Sequence, residues 1–332
     1  MTRLCFLGIP EHGKTRSTDF LKRLLEQAFE LETVEDLPSD SLIGETEIFL
    51  FFQRPPSVDL RKRLVGKRII YVPMYDEARN YNRQVIRTWA PYSIISFCRS
   101  MHDDLCAWGV NSKYIQYFPK PMVDAPLPAD MPKAFFWRRE SSYSNEAIPD
   151  AVVSTLLRDT GMKLHYHSEI SGISDELACG DIIASQSSWM VDKDELMPLM
   201  RACSLYIAPR ESEGIGMSFL DAMANGLAVA AADNPTMNEY ITDGANGYLF
   251  DLMHPGRLDL RRLQQVRERS LEVCAAGYEA WERDKWSLID FIEAPYQPSA
   301  RIQIPRGFEY RSLKQKDVRF TVKRFVKRLA GK

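Results

Sequence analysis

Glu213-Gly-Ile-Gly216 and Asp221, eight positions after Glu213, are the residues best suited to chemistry in this 332-residue chain. A strand-like apolar run at 204–208 precedes them, a short helical stretch follows, Gly226 stops it, and a second apolar run occupies 227–232. This is the layout of a strand–loop–helix–strand unit, with two glycines where the chain must turn sharply into a helix. A helix N-terminus carries backbone N–H groups without intrahelical partners and the positive end of the helix dipole. It is therefore a natural seat for phosphate. Here the amides of Gly214, Ile215, Gly216 and Met217 would supply it. Carboxylates repel phosphate but accept hydrogen bonds from hydroxyls. A ligand that suits both has a diphosphate in its middle and hydroxyl-bearing rings on either side. A nucleotide-sugar has that shape.

A second motif competes. Gly8-Ile-Pro-Glu-His-Gly-Lys-Thr15 satisfies the phosphate-loop pattern G-x-x-x-x-G-K-[ST] between a strand and a helix, which would make the chain a nucleotide-hydrolysing or phosphoryl-transfer enzyme. Against it, Pro10 has no N–H to give a phosphate and Glu11 brings a negative charge. No later strand ends on the carboxylate that would hold the magnesium ion. The run 47–53 ends in Gln53 and Arg54, and 69–72 runs into Pro73.

The elements that must position these residues alternate along the chain. Apolar runs at 4–7, 48–52, 68–72, 92–97 and 114–118 read as strands, with helices at 18–30, 60–64 and 102–108 between them. Pro119, Pro121, Pro126, Pro128 and Pro132 then form a stiff stretch that reads as a linker. A second series follows, with strands at 134–137, 163–167 and 181–185 and a helix at 196–202. Alternation of this kind predicts parallel, doubly wound sheets. The expected division is 1–120, a linker at 121–133, a second domain at 134–290 and an extension at 291–332.

Composition sets outer bounds. Hydrophobic residues make up 45 % and charged residues 27 %, as in ordinary globular proteins. No apolar run approaches the roughly 18 residues that span a bilayer, and Met1-Thr-Arg-Leu opens into a strand without a signal-peptide layout. Six scattered cysteines without a Cys-x-x-Cys pair read as reduced thiols, so the expected compartment is the cytoplasm. His165 and His167 share one strand face without a third ligand nearby, and no metal is expected.

Residues 205–250 resemble the donor-binding half of retaining, metal-independent GT-B glycosyltransferases of the large group 1 family (family 4). That family's pattern is an acid, Gly-x-Gly, a second acid eight positions after the first, and Ala-Met-Ala-x-Gly. Here it stands as Glu213, Gly214, Gly216, Asp221 and Ala222-Met-Ala-Asn-Gly226. Asn238-Glu-Tyr-Ile-Thr-Asp-Gly-Ala-Asn-Gly-Tyr-Leu-Phe250 resembles the turn that follows in the family. The resemblance implies two Rossmann-like doubly wound α/β domains facing a cleft, and transfer of a sugar with retention from a nucleoside-diphosphate-sugar to a glycan or glycolipid hydroxyl. The nucleotide-sugar is a co-substrate; no cofactor is implied. Glu213 would orient the sugar, and Asp221, which stands where the family usually has Glu, would hold the ribose. Arg138 falls on the family's diphosphate-clasping Arg. The family's partner Lys has no counterpart at Tyr143 or Ser144, which leaves Arg139 and Arg210 as the other cations. Gly13 would be the close-approach glycine, with His12, Lys14, Tyr75 and Asp76 on the acceptor side. The missing Lys keeps a second alternative open, a GT-B-like protein that binds glycans without turnover.

Bacterial members mostly extend surface polysaccharides, such as O-antigen or capsule, at the inner face of the plasma membrane. The last segment suits that place. Residues 311–332 hold nine Lys or Arg and one acid, a net +8 against −2 for the whole chain. Val318, Val322, Phe325, Val326 and Leu329 recur at helical spacing beside these charges. Such a helix either lies weakly on anionic lipid or docks back on the protein with its charges solvated; nucleic acid is not an expected partner. If it contacts lipid, the chain should bind anionic vesicles at low salt. Binding should be lost on deletion of 314–332, and strongly reduced on raising salt from about 0.05 to 0.5 M, where the Debye length falls below roughly 5 Å. Absent vesicle binding at low salt, or unfolding on deletion, would contradict the lipid contact.

Overall fold

The computed structural model describes residues 1–9, 16–123, 132–139, 147–168, 174, 177, 182–188, 193–296 and 303–304. Gly13, His12 and Lys14, residues 124–131 of the proline-rich stretch, Tyr143, Ser144 and the basic segment 311–332 lie outside the described residues. Two compact units emerge, Met1–Gln116 with the described part of Ala280–Tyr310, and Tyr117–Glu279.

In the first unit the strands are β1 (Arg3–Leu7), β2 (Glu30–Val34), β3 (Ile48–Phe52), β4 (Arg68–Val72), β5 (Ser93–Ser96) and β6 (Ser112–Tyr114). They form one sheet in the order β2-β1-β3-β4-β5-β6, with every pairing parallel. The helices between them are α1 (Asp19–Leu25), α2 (Asp40–Glu45), α3 (Val58–Arg63), α4 (Tyr75–Ala78), α5 (Arg83–Arg87) and α6 (Arg99–Ala107). β3 reads Ile-Phe-Leu-Phe-Phe and is buried along its whole length, as a central parallel strand covered on both faces must be. Serine hydroxyls cap two of the helices. Ser39 accepts from Leu42 N and Ser57 from Leu60 N, both at 3.2 Å.

The second unit has β7 (Lys133–Arg138), β8 (Lys163–Ser168), β9 (Ile183–Ser188), β10 (Leu205–Ile207), β11 (Ala228–Ala232) and β12 (Tyr248–Phe250). Its helices are α7 (Asp150–Leu157), α8 (Lys193–Arg201), α9 (Met217–Ala224) and α10 (Leu263–Asp284), the last of which passes into the first unit at Ala280. The sheet order is β12-β11-β10-β7-β8-β9, again all parallel. Numbered within the unit, this is 3-2-1-4-5-6, the order of a doubly wound dinucleotide-binding sheet. Its switch point falls between β7 and β10.

Several expectations are corrected. The helix placed at 18–30 ends at Leu25, and Glu30–Val34 instead forms edge strand β2. Its Glu-Leu-Glu-Thr-Val is half solvated and carries no apolar run to signal it. The strand placed at 114–118 is Ser112–Tyr114, and the one placed at 181–185 is Ile183–Ser188. The second unit does not extend to 290. From Ala280 the chain belongs to the first unit, where α11 (Trp286–Glu293) buries Leu288, Ile289 and Ile292, and Phe291 O accepts from Arg68 at 3.1 Å. Trp281 meets Phe20 edge-on at 5.7 Å in the same unit.

The turn before β12 explains much of Asp243-Gly-Ala-Asn-Gly247 as structure rather than chemistry. The Asn246 side chain is buried, accepts from Thr242 N at 2.6 Å and donates to Tyr240 O at 2.9 Å. Asp243 accepts from Leu249 N at 2.9 Å. A Cβ on Gly247 would lie 2.8 Å from Val229 O, so only glycine lets this turn reach β11.

Candidate functional site

Parallel strands deliver their carboxyl ends to one edge, and in the second unit β7 and β10 are neighbours there. β7 ends with Trp137 and Arg138, followed by Arg139, and β10 leads through Ala208, Pro209 and Arg210 into Glu213-Gly-Ile-Gly216. Arg138 and Glu213 are far apart in sequence, and the pairing of β7 with β10 brings their backbones to the same edge of one sheet.

The loop is shaped by its last glycine. Gly216 caps α9 in the left-handed region (φ 83°, ψ 42°), and its carbonyl accepts from Phe219 N and Leu220 N, both at 3.1 Å. A glycine cap has no side chain to cover the helix end, and the first turn of α9 carries no acid. Among the described residues, the backbone N–H groups of Gly214, Ile215, Gly216, Met217 and Ser218 have no hydrogen-bond acceptor. Five consecutive donors without an acceptor at a helix N-terminus are chemically suited to an anion. At its other end α9 closes in a Schellman turn. Gly226 sits at φ 76°, with Gly226 N donating to Met223 O and Leu227 N to Ala222 O, each at 3.0 Å.

Glu213 is partly exposed, and so is Asp221 on α9. Both carboxylates act on the phenol of Tyr206. Burial pushes that phenol well above its ordinary pKa, with Glu213 and Asp221 pushing the same way and Arg139 opposing. Tyr206 thus lies within electrostatic reach of three of the expected site residues. Thr236, fully buried after β11, donates its hydroxyl to the carbonyls of Glu213 at 2.6 Å and Gly214 at 3.1 Å.

Arg138 forms an ion pair with Asp150, the first residue of α7, whose side chain is 3 % exposed against 36 % for Arg138. Tyr166 donates to the same carboxylate at 3.3 Å. Burial is the largest single influence and works against the Arg138 charge, but Asp150 and Tyr166 together outweigh it and raise the pKa of the guanidinium. Arg138 is therefore anchored rather than a loose strand-end cation. Arg139 stacks on Trp137, 3.5 Å from the ring centroid. Arg210 pairs through its backbone with Ala147.

Of the acceptor-side residues, Tyr75 is 2 % exposed and belongs to the apolar core of the first unit, while Asp76 is partly exposed. His165 and His167 are packing residues. They are buried, bonded to Ser185 and Ser187 at 2.7–2.9 Å and stacked on Phe135. Burial lowers His167 to about 4, so it is neutral at pH 7. No group of three His, Cys, Asp or Glu among the described residues is placed to hold a metal, and no described helix is long and apolar enough to cross a membrane.

Sequence reasoning missed Asp150, Tyr166 and Thr236. Their roles arise from contacts between distant segments, and no local spacing announces them.

Residues 185–258 match the family model for glycosyl transferases group 1. The chain is also similar to an uncharacterized glycosyltransferase of Methanocaldococcus jannaschii, 33 % identical over 78 residues, which is 24 % of this chain and 22 % of that relative's length. Among solved structures, a glycosyltransferase from Rickettsia africae has a TM-score of 0.62 at 12 % identity, covering 89 % of this chain and 99 % of its own. Sucrose-phosphate synthase from Thermosynechococcus elongatus gives 0.61 at 11 % identity, covering 87 % and 98 %. Anabaena HepE in complex with UDP and glucose gives 0.57 at 13 % identity, covering 87 % and 100 %. The two Rossmann-like α/β units have the GT-B fold, and the likeness to group 1 glycosyl transferases rests on 185–258.

Gly216→Ala tests the loop. A Cβ there would overlap the ring of fully buried Phe219, in a backbone conformation that disfavours any L side chain. The left-handed cost of about 1–2 kcal/mol and an overpacking cost of about 1–3 kcal/mol predict a loss of roughly 2–5 kcal/mol. Thermal unfolding should show a Tm lower by about 5–15 °C; an unchanged Tm would contradict this geometry.

Proposed function

We propose that this chain is a glycosyltransferase of the hexosyl type, which moves a sugar from a nucleoside-diphosphate-sugar to a glycan or glycolipid hydroxyl with retention. The observation that carries this reading is the run of five unpartnered amides from Gly214 to Ser218 beside Glu213, at the switch point of a 3-2-1-4-5-6 sheet. The amides suit a diphosphate, and Glu213 suits the hydroxyls of the sugar attached to it. The group 1 segment and the likeness in fold to HepE, whose structure holds UDP and glucose, point the same way.

In transfer, the bond from the anomeric carbon to the diphosphate oxygen breaks as the bond to the acceptor oxygen forms, negative charge gathers on the leaving diphosphate, and that diphosphate takes up the proton lost by the acceptor hydroxyl. The loop amides and Arg138, with Arg139 and Arg210 as further cations, stabilise that charge. Glu213 orients the sugar for attack, and Asp221 holds the ribose. The acceptor belongs to a surface polysaccharide, and the work is done at the inner face of the plasma membrane, with the basic segment 311–332 as the contact.

The phosphate-loop reading is weaker. β3 and β4 end at Phe52 and Val72, followed by Gln53 and Pro73, so neither strand end presents a carboxylate.

A panel of UDP-, GDP-, ADP- and TDP-sugars, assayed for donor hydrolysis and transfer, tests the proposal. At least one should be used, and Glu213→Ala should lower its turnover by about 100-fold or more while leaving Tm nearly unchanged. Binding of ATP with no nucleotide-sugar used, or full activity in Glu213→Ala, would overturn it.

A further inference from the structure

We infer that Thr236 is a positioning residue for the donor loop, acting through the Glu213 and Gly214 carbonyls; the inference rests on the function proposed above. Thr236 lies in the connection that leaves β11, next to β10 in the sheet, so two adjacent strand-end loops are joined by one side chain. Its backbone is engaged as well, since its carbonyl accepts from Glu239 N at 3.0 Å at the start of the turn Met237–Glu239. The hydroxyl is therefore held by a structured turn, on a residue that is fully buried.

The consequence for the loop follows from peptide geometry. In a trans peptide the C=O and the next N–H point in opposite directions. Glu213 O and Gly214 O face Thr236, so the N–H groups of Gly214 and Ile215 face away from it, where they have no acceptor among the described residues. Thr236 thereby fixes two of the five open amides and the backbone from which the Glu213 side chain projects. It touches no substrate.

Thr236→Val keeps the shape and removes the hydroxyl, and Thr236→Ser restores it. Hydrogen exchange over 212–218 should be faster in Thr236→Val than in wild type and near wild type in Thr236→Ser. With the nucleotide-sugar that wild type uses, kcat should fall about 10–100-fold in Thr236→Val, by misplacement of the reacting groups, with KM changing less and Thr236→Ser recovering most of the rate. Unchanged exchange, or unchanged kcat in Thr236→Val, would overturn the inference. So would equal loss in both variants, which would mean that the residue only fills space. If wild type uses no nucleotide-sugar, the function proposed above fails, while the exchange measurement still decides whether Thr236 holds the loop.

Discussion

The site depends on one constraint, the parallel pairing of β7 with β10. A parallel strand delivers its last residue to the edge it shares with its neighbours, and the order of strands reverses between β7 and β10. Connections leave in opposite directions from such a point, so a crevice opens at the carboxyl ends with little backbone to fill it. The Glu213–Gly216 loop follows β10 at this edge, and Arg138 and Arg139 lie at the end of β7. Gly216 then turns the chain into α9 without covering the helix end.

The charges around this crevice are arranged unevenly. Arg138 is paired with buried Asp150, which fixes its direction and offsets part of its charge. Removing one partner of such a pair leaves an uncompensated buried charge, so the two residues act as one unit. Arg139 gains its order from Trp137 instead. The amides of the loop supply positive potential that needs no counter-ion and no side-chain ordering, which would suit the binding and release of the charged leaving group proposed above.

The central strands and the glycine loop were legible in the sequence because each leaves a local mark. β3 is a continuous apolar run, and Gly216 and Gly226 occupy left-handed positions that few other residues tolerate. Edge strand β2 left no such mark, since Glu-Leu-Glu-Thr-Val is half solvated. The return of the chain to the first unit through α11 depends on Leu288, Ile289 and Ile292 finding a surface made by residues far earlier in the chain. Asp150 and Thr236 were illegible for the same reason. An acid at a helix start and a threonine in a turn are ordinary residues until tertiary contacts set them behind Arg138 and Glu213.

The most direct measurement is a crystal structure of the full chain soaked with UDP and GDP. The diphosphate oxygens should lie within hydrogen-bond distance, about 2.7–3.2 Å, of the N–H groups between Gly214 and Ser218, with Arg138 beside them. A diphosphate seated instead on the loop 8–15, with the Gly214–Ser218 amides untouched, would contradict it.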